Sequence, residues 1–324
     1  MSSYGKGKPI VKPPDLARAK NFKAVDYFTT TYGSYPFSDY KLCFVDDLHL
    51  DILDTGSLSI CSNRLLFPED IIEPLDCVTR QLVHALAVQW MGINIVPKAS
   101  FDFWVVVGIA YYMTDIFTRK LSGNNEYRYK QKRAADRVVE LDVDRPSLLN
   151  TGALMTLDPL EREFMELKAP LVLFILDRRL TKAGGSAGLS RIIYRICLNA
   201  KVGDLANGAI DSQSFIKTCE KLGHQKLEPF YAQWIEGAGC PKFRVTQRFN
   251  KKKLVVEMMV QQYQAENVKD RDLESGNFMR DVKEEQNEVY AGELQAVFTV
   301  CKRICSVLCA RAEFSTGPDD NTNP

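Results

Sequence analysis

Chemistry in this sequence is scarce, and the place where it would sit is a helical run, Val83-His-Ala-Leu-Ala-Val-Gln-Trp-Met-Gly92. Two His four residues apart on such a helix, with a Glu between them, hold a catalytic zinc and supply its general base. Here His84 has Ala85 beside it and Val88 four residues on. One imidazole cannot carry a catalytic zinc, which takes three protein ligands and an open position for water. Only three His occur in the chain, His49, His84 and His224. A lone His on an apolar helix reads as a hydrogen-bonded core residue.

Two other groups of reactive types stand out. Cys301, Cys305 and Cys309 share one face of a helix, but a metal cluster needs a fourth ligand and tighter pairs. Arg128, Lys130, Lys132 and Arg133 alternate with Tyr127 and Tyr129, and such cations contact phosphates. Glu126 and Asp136 among them favour a solvated helix face over that contact. Lys251, Lys252 and Lys253 carry the same pair of readings, DNA contact or a solubilising turn.

Bulk properties narrow the class. The 324 residues carry a net charge of +1, so no global field draws the chain to nucleic acid. No apolar run reaches the roughly 18 residues that span a bilayer, so no membrane segment is expected. The N-terminus lacks a secretory apolar region, and nine scattered Cys form no disulfide framework. An intracellular protein with reduced thiols is expected.

The elements that must position His84 follow from periodicity. Leu75, Val78, Leu82, Leu86 and Trp90 recur at helical spacing, and a second core helix is expected over 103–120. Shorter helices are expected near 22–32, 126–141, 166–180, 186–201 and 211–222, with strands at 41–45 and 57–62. Trp90 and Trp104 read as core residues. After Lys242 the period becomes alternating, and 243–249 with 254–260 predicts a hairpin. The division expected is a flexible lead-in over 1–21, one domain over 22–241, a partial β domain with a charged segment over 242–297, and a tail over 298–324. Gly237–Pro241 marks the boundary.

These residues resemble the zinc aminopeptidases of the gluzincin family, whose helix reads His-Glu-x-x-His-Gln-Trp-Phe-Gly. The resemblance implies an α+β, mainly α, thermolysin-like catalytic-domain fold, followed by the start of a β-sandwich. His84 matches the first zinc ligand, and Gln89, Trp90 and Gly92 match the downstream signature. The general base falls at Ala85, the second ligand at Val88, and the third at Val107, within Trp104-Val-Val-Val-Gly-Ile-Ala110. The substrate-anchoring Glu falls at Leu53 and the oxyanion-stabilising Tyr at Glu166. No cofactor or metal is therefore expected, and no catalysis.

Within that fold, Tyr32-Gly-Ser-Tyr-Pro-Phe37, residues 69–79 and Gln233-Trp-Ile-Glu-Gly-Ala-Gly-Cys-Pro241 resemble the non-catalytic TBP-associated factors of the general transcription factor TFIID, its subunit 2 family. That resemblance covers about residues 22–296. It implies a nuclear scaffold that assembles with TFIID subunits 1, 8 and 10 and TBP, and that touches core-promoter DNA. A divergent zinc aminopeptidase, or an inactive fold still binding peptides, are the alternatives. The family's N-terminal β domain and long helical repeats have no counterpart in the sequence, so the chain reads as a truncated product or mispredicted gene model, foreign to the fold beyond about 298.

Overall fold

In a computed structural model the described residues are 15–46, 48–67, 71, 73–143, 145–150, 159–184, 188–240, 242–250, 255–263 and 313–314. The chain divides into two compact units, one of residues 1–127 with 172–227 and the other of 128–171 with 228–324. This division does not follow the chain order expected at Gly237–Pro241.

The first unit opens with helix α1 (Asp15–Tyr32). It begins at Asp15, within the stretch 1–21 read as a lead-in. A three-stranded sheet follows, with β1 (Lys41–Val45), β2 (Ile52–Thr55) and β3 (Leu58–Ser62) in the order β1-β3-β2. β1 pairs with β3 in parallel, and β2 pairs with it antiparallel, Leu53 opposite Ile60. β2 was not expected. Its turn to β3 holds Ser57 at a φ of 60°.

Helix α2 (Leu75–Trp90) buries Val78, Leu82, Leu86 and Trp90, the stripe that its period dictates. Val78 and Leu82 close over Cys61, Leu65 and Phe67, with Leu42, Phe44 and Ile52 at the margin. Further along, Trp90 meets Phe28 edge to face, centroids 5.7 Å apart, and Phe28 meets Phe117 at 5.9 Å. Aromatic pairs of this geometry add to plain burial.

Helix α3 (Phe103–Leu141) covers both helices expected over 103–120 and 126–141. Gly123, at φ 86° and ψ 173°, breaks it between them. That backbone is left-handed and extended, a state open to glycine without steric cost. The start of α3 is fixed by Asp102, whose Oδ1 accepts Ser212 N and Ser212 Oγ, each at 2.7 Å. Ser212 Oγ also accepts Trp104 Nε1 at 3.0 Å. Two short strands, β4 (Val96–Pro97) and β5 (Ala209–Ile210), pair in parallel although far apart in sequence.

Helix α4 (Pro159–Gly184) runs from the second unit into the first, and α5 (Gly188–Val202) and α6 (Ser212–Gly223) complete the first. Asp177 Oδ1 accepts Leu189 N at 2.8 Å, capping α5. A Cβ on Gly188 would lie 2.3 Å from that same oxygen.

In the second unit, Ala135 and Val138 of α3 pack with Phe164 and Leu171 of α4. Lys168 Nζ bonds Asp142 Oδ2 at 2.9 Å, both side chains deeply buried, and Cys240 Sγ lies 3.4 Å from the same oxygen. A one-turn helix α7 (Glu228–Tyr231) continues into a π-helical turn, Ala232–Glu236. The expected hairpin follows as β6 (Lys242–Asn250) and β7 (Val255–Tyr263), with Val245 opposite Val260. A two-residue strand β8 (Glu313–Phe314) adds to β6 in parallel. Other calls on 264–324, the three-Cys group included, lie outside the described residues, as do Lys251–Lys253.

Candidate functional site

Helices α2 and α3 pair antiparallel, and their register is read from side chains. Arg80 Nη2 meets Asp115 Oδ1 at 2.8 Å. One turn on, the His84 ring stacks on Tyr111 with centroids 3.8 Å apart and planes 21° apart. The next step of that register sets Val88 opposite Val107, and the one after brings Gly92 to the start of α3. A Cβ on Gly92 would in fact touch Val106 at 3.9 Å.

This is the place where the resemblance puts a zinc site, and the side chains present do not fit one. His84 Nδ1 lies 3.5 Å from Thr114 Oγ1, whose own proton goes to Ala110 O at 2.9 Å. Burial first, then the Arg80 cation, push the His84 imidazolium well below its ordinary value, to about 3. The ring is therefore neutral near pH 7. Ala85, Val88 and Val107 offer no lone pair, and no group of three His, Cys, Asp or Glu able to hold a metal occurs among the described residues.

The reading of His84 as a hydrogen-bonded core residue holds for the bond but only in part for the burial. Ala85 is buried, but His84, Val88 and Val107 are each half-buried, and so is Tyr111. They line the outer seam of the helix pair. β2 runs alongside α2 in the same direction, because Gln81 Nε2 reaches Asp51 at 3.3 Å and Gln89 Nε2 reaches Thr55 O at 3.1 Å. Eight helical residues rise about 12 Å and four strand residues about 13 Å, so Leu53 falls level with His84 and Ala85. It is 43% exposed.

Residues after His84 in the signature hold the fold together. Gln89 is fully buried, and its Oε1 accepts Ser57 N at 3.0 Å and the Tyr35 hydroxyl at 3.3 Å. Trp90 Nε1 donates to Gly33 O at 3.3 Å, and its ring meets Tyr35 edge to face at 5.1 Å. Gly92 has a φ of 141°, and a Cβ there would lie 3.0 Å from Val88 Cγ1. Each of these residues answers a packing demand and none a chemical one. Sequence reasoning placed Trp90 and Trp104 in the core, where they are found, and picked out Gln89 as part of the signature without its partners, but missed Tyr111 and Arg80. Tyr111 was within reach of the helical period, one turn beyond Val107.

Glu166 lies half-buried on α4 in the second unit, with Arg128, Lys130, Lys132 and Arg133 on the last part of α3. Lys132 is held by Asp136 at 2.6 Å, one helical turn away. Arg133 lies over the Tyr129 ring at 5.9 Å. Arg128 is exposed.

Comparison with known proteins agrees with this frame. Solved structures with the same fold include Legionella pneumophila aminopeptidase A in complex with aspartic acid, with a TM-score of 0.58 and 16% identity over 79% of this chain and 28% of that one. Native yeast LTA4 hydrolase aligns with a TM-score of 0.55 and 16% identity over 68% of this chain and 35% of that one. The fold class is thus the aminopeptidase, gluzincin-type α+β fold.

Sequence carries the assignment further. The chain is 44% identical over 260 residues to the transcription initiation factor TFIID subunit 2 of Schizosaccharomyces pombe, covering 80% of this chain and 22% of that one. It is 40% identical over 248 residues to that of Saccharomyces cerevisiae, covering 75% and 18%. The match to the Drosophila melanogaster protein is 29% over 280 residues, covering 74% and 23%. Residues 238–305 match a family model described as the TAF2 Ig-like domain, a stretch that runs past the boundary expected at 297. The matched part of the chain belongs to the TFIID subunit 2 family. It spans about a fifth of the length of these curated relatives.

Proposed function

We propose that this chain is a portion of a non-catalytic subunit of the nuclear general transcription factor TFIID, a scaffold for assembling the RNA polymerase II pre-initiation complex. One observation carries the reading. In a chain 44% identical to a TFIID subunit 2, the frame around the signature is kept by Gln89, Trp90 and Gly92. The base and two ligand positions are meanwhile Ala85, Val88 and Val107. Without zinc no bound water is acidified, and without a Glu none is deprotonated.

On this reading its partners are TFIID subunits 1, 8 and 10 and the TBP-containing complex. Core-promoter DNA is touched through the cations at 128–133, of which Arg128, Lys132 and Arg133 are exposed, and through the lysines at 251–253. Lys132 contributes least, because its charge already faces Asp136. Phosphate contacts of this kind position a protein on DNA without reading sequence.

Affinity purification of the product of this locus, tagged at its chromosomal copy, tests the proposal. Recovery of TBP and other TFIID subunits is the expected result. A product that returns without them, or that holds stoichiometric zinc and hydrolyses an aminopeptide, overturns it.

A further inference from the structure

Helix α5 carries Arg191, Arg195 and Lys201 and no acidic residue. Its inner side buries Leu189, Ile192, Ile193 and Ile196. On its outer side Arg191, Tyr194, Leu198 and Lys201 are spaced by three, four and three, which aligns them as one stripe. The three cations are exposed, and Tyr194 is 44% exposed. Among the described residues neither Arg191 nor Arg195 has an ion-pair partner, and Lys201 donates only to the Ser34 hydroxyl at 3.0 Å. Beside the stripe the surface sinks into an open hollow of about 430 Å³, lined by rings and polar groups alike, among them Tyr35, Trp90, Asn94, Tyr194 and Lys201.

The aromatic rings of Tyr35 and Tyr194 in that hollow seat a large side chain, and Lys201 at its edge, with Arg191 and Arg195 on the same helix, favours carboxylates beside it. We propose that the hollow and the α5 stripe form a docking surface for an acidic peptide segment of a partner protein. One aromatic or large aliphatic residue of the segment occupies the hollow, and flanking carboxylates meet Arg191, Arg195 and Lys201. A second copy of this chain would bring the same cations face to face and be repelled. A DNA duplex, which the same cations also attract, is the competing occupant that the test separates from the peptide. The surface lies within the first unit and does not depend on membership of TFIID.

The test uses the whole 324-residue chain and a fluorescein-labelled peptide of about a dozen Asp and Glu residues around one Phe, followed by anisotropy. Saturable binding is expected that weakens at least about tenfold in Tyr194→Ala and in the Arg191→Glu, Arg195→Glu double variant, and likewise when the peptide's Phe becomes Ser. Melting curves by circular dichroism identify variants that fold as the parent does. Should the double variant melt early, Lys201→Glu, at an exposed position, replaces it with the same expectation. Absence of saturable binding, equal binding by the folded variants, or displacement of the peptide by a DNA duplex that binds more tightly overturns the proposal.

Discussion

The His84 ring lies flat against Tyr111, centroids 3.8 Å apart, in the register that also pairs Arg80 with Asp115. Two helices are thus aligned turn by turn, and continuing that register by one turn matches position 88 with position 107.

Restoring donors at those positions should restore metal binding. The Val88→His, Val107→Glu double variant is expected to take up one zinc per chain, measured by atomic absorption after dialysis against trace metal. The parent chain is expected to take up none. A double variant that folds and stays metal-free would show that the helices are set at the wrong spacing for a tetrahedral site.

His84 makes a pH prediction whose sign is fixed by its lowered folded value, about 3 against an ordinary 6.5. Between those values the unfolded chain binds the proton that the folded chain refuses. The contribution is present above about 6.5 and is lost as pH falls toward 3. His84→Phe keeps a flat ring on Tyr111 and removes the titration. Urea unfolding from pH 7 to 4 should show the parent losing stability more steeply than the variant, and parallel curves would refute the assignment.

Gln89→Leu should be costly although the shapes are close. It strands Ser57 N–H and Thr55 C=O beside a buried apolar group and frees the Tyr35 hydroxyl. With an unsatisfied buried group costing about 1–3 kcal/mol, a loss of roughly 3 kcal/mol is expected in chemical denaturation. Gln89→Glu should recover part of it, since Oε1 still accepts. A loss below about 0.5 kcal/mol, within the range of surface substitutions, would count against the role.

Lys168→Met leaves Asp142 buried without its cation, with its Oδ1 already lacking a partner. Breaking such a pair costs about 3–5 kcal/mol, whereas replacing both members by apolar groups is often neutral. Stability measurements on Lys168→Met and on Lys168→Met with Asp142→Leu should therefore diverge, the double variant being the more stable. Equal losses would contradict the ion-pair account.

Much of the fold was legible because it is local. The α2 stripe and the hairpin after Lys242 follow from periodicity, and Gly123 breaks α3 in the gap between the two helices expected there. β2 was missed because it is a four-residue edge strand containing an Asp, with too little alternation to read. β4 and β5 are two residues each and exist only through pairing across more than 100 positions, which no local pattern encodes. Of the site, the residue types at 84, 85, 88 and 107 were readable directly. The half-exposure of His84, Val88 and Val107 was not, because it depends on how the helices and the sheet pack. Gln89 shows the same limit, since its three partners lie 32 to 54 residues away.

The anchoring of Gln89 and Trp90 bears on how this kind of protein is found. A motif known for a reaction persists here because its later letters fasten a helix to a hairpin and an aromatic nest. Searching genomes with Gln-Trp-x-Gly thus retrieves an architecture, and the letters before it are where any chemistry has to be read.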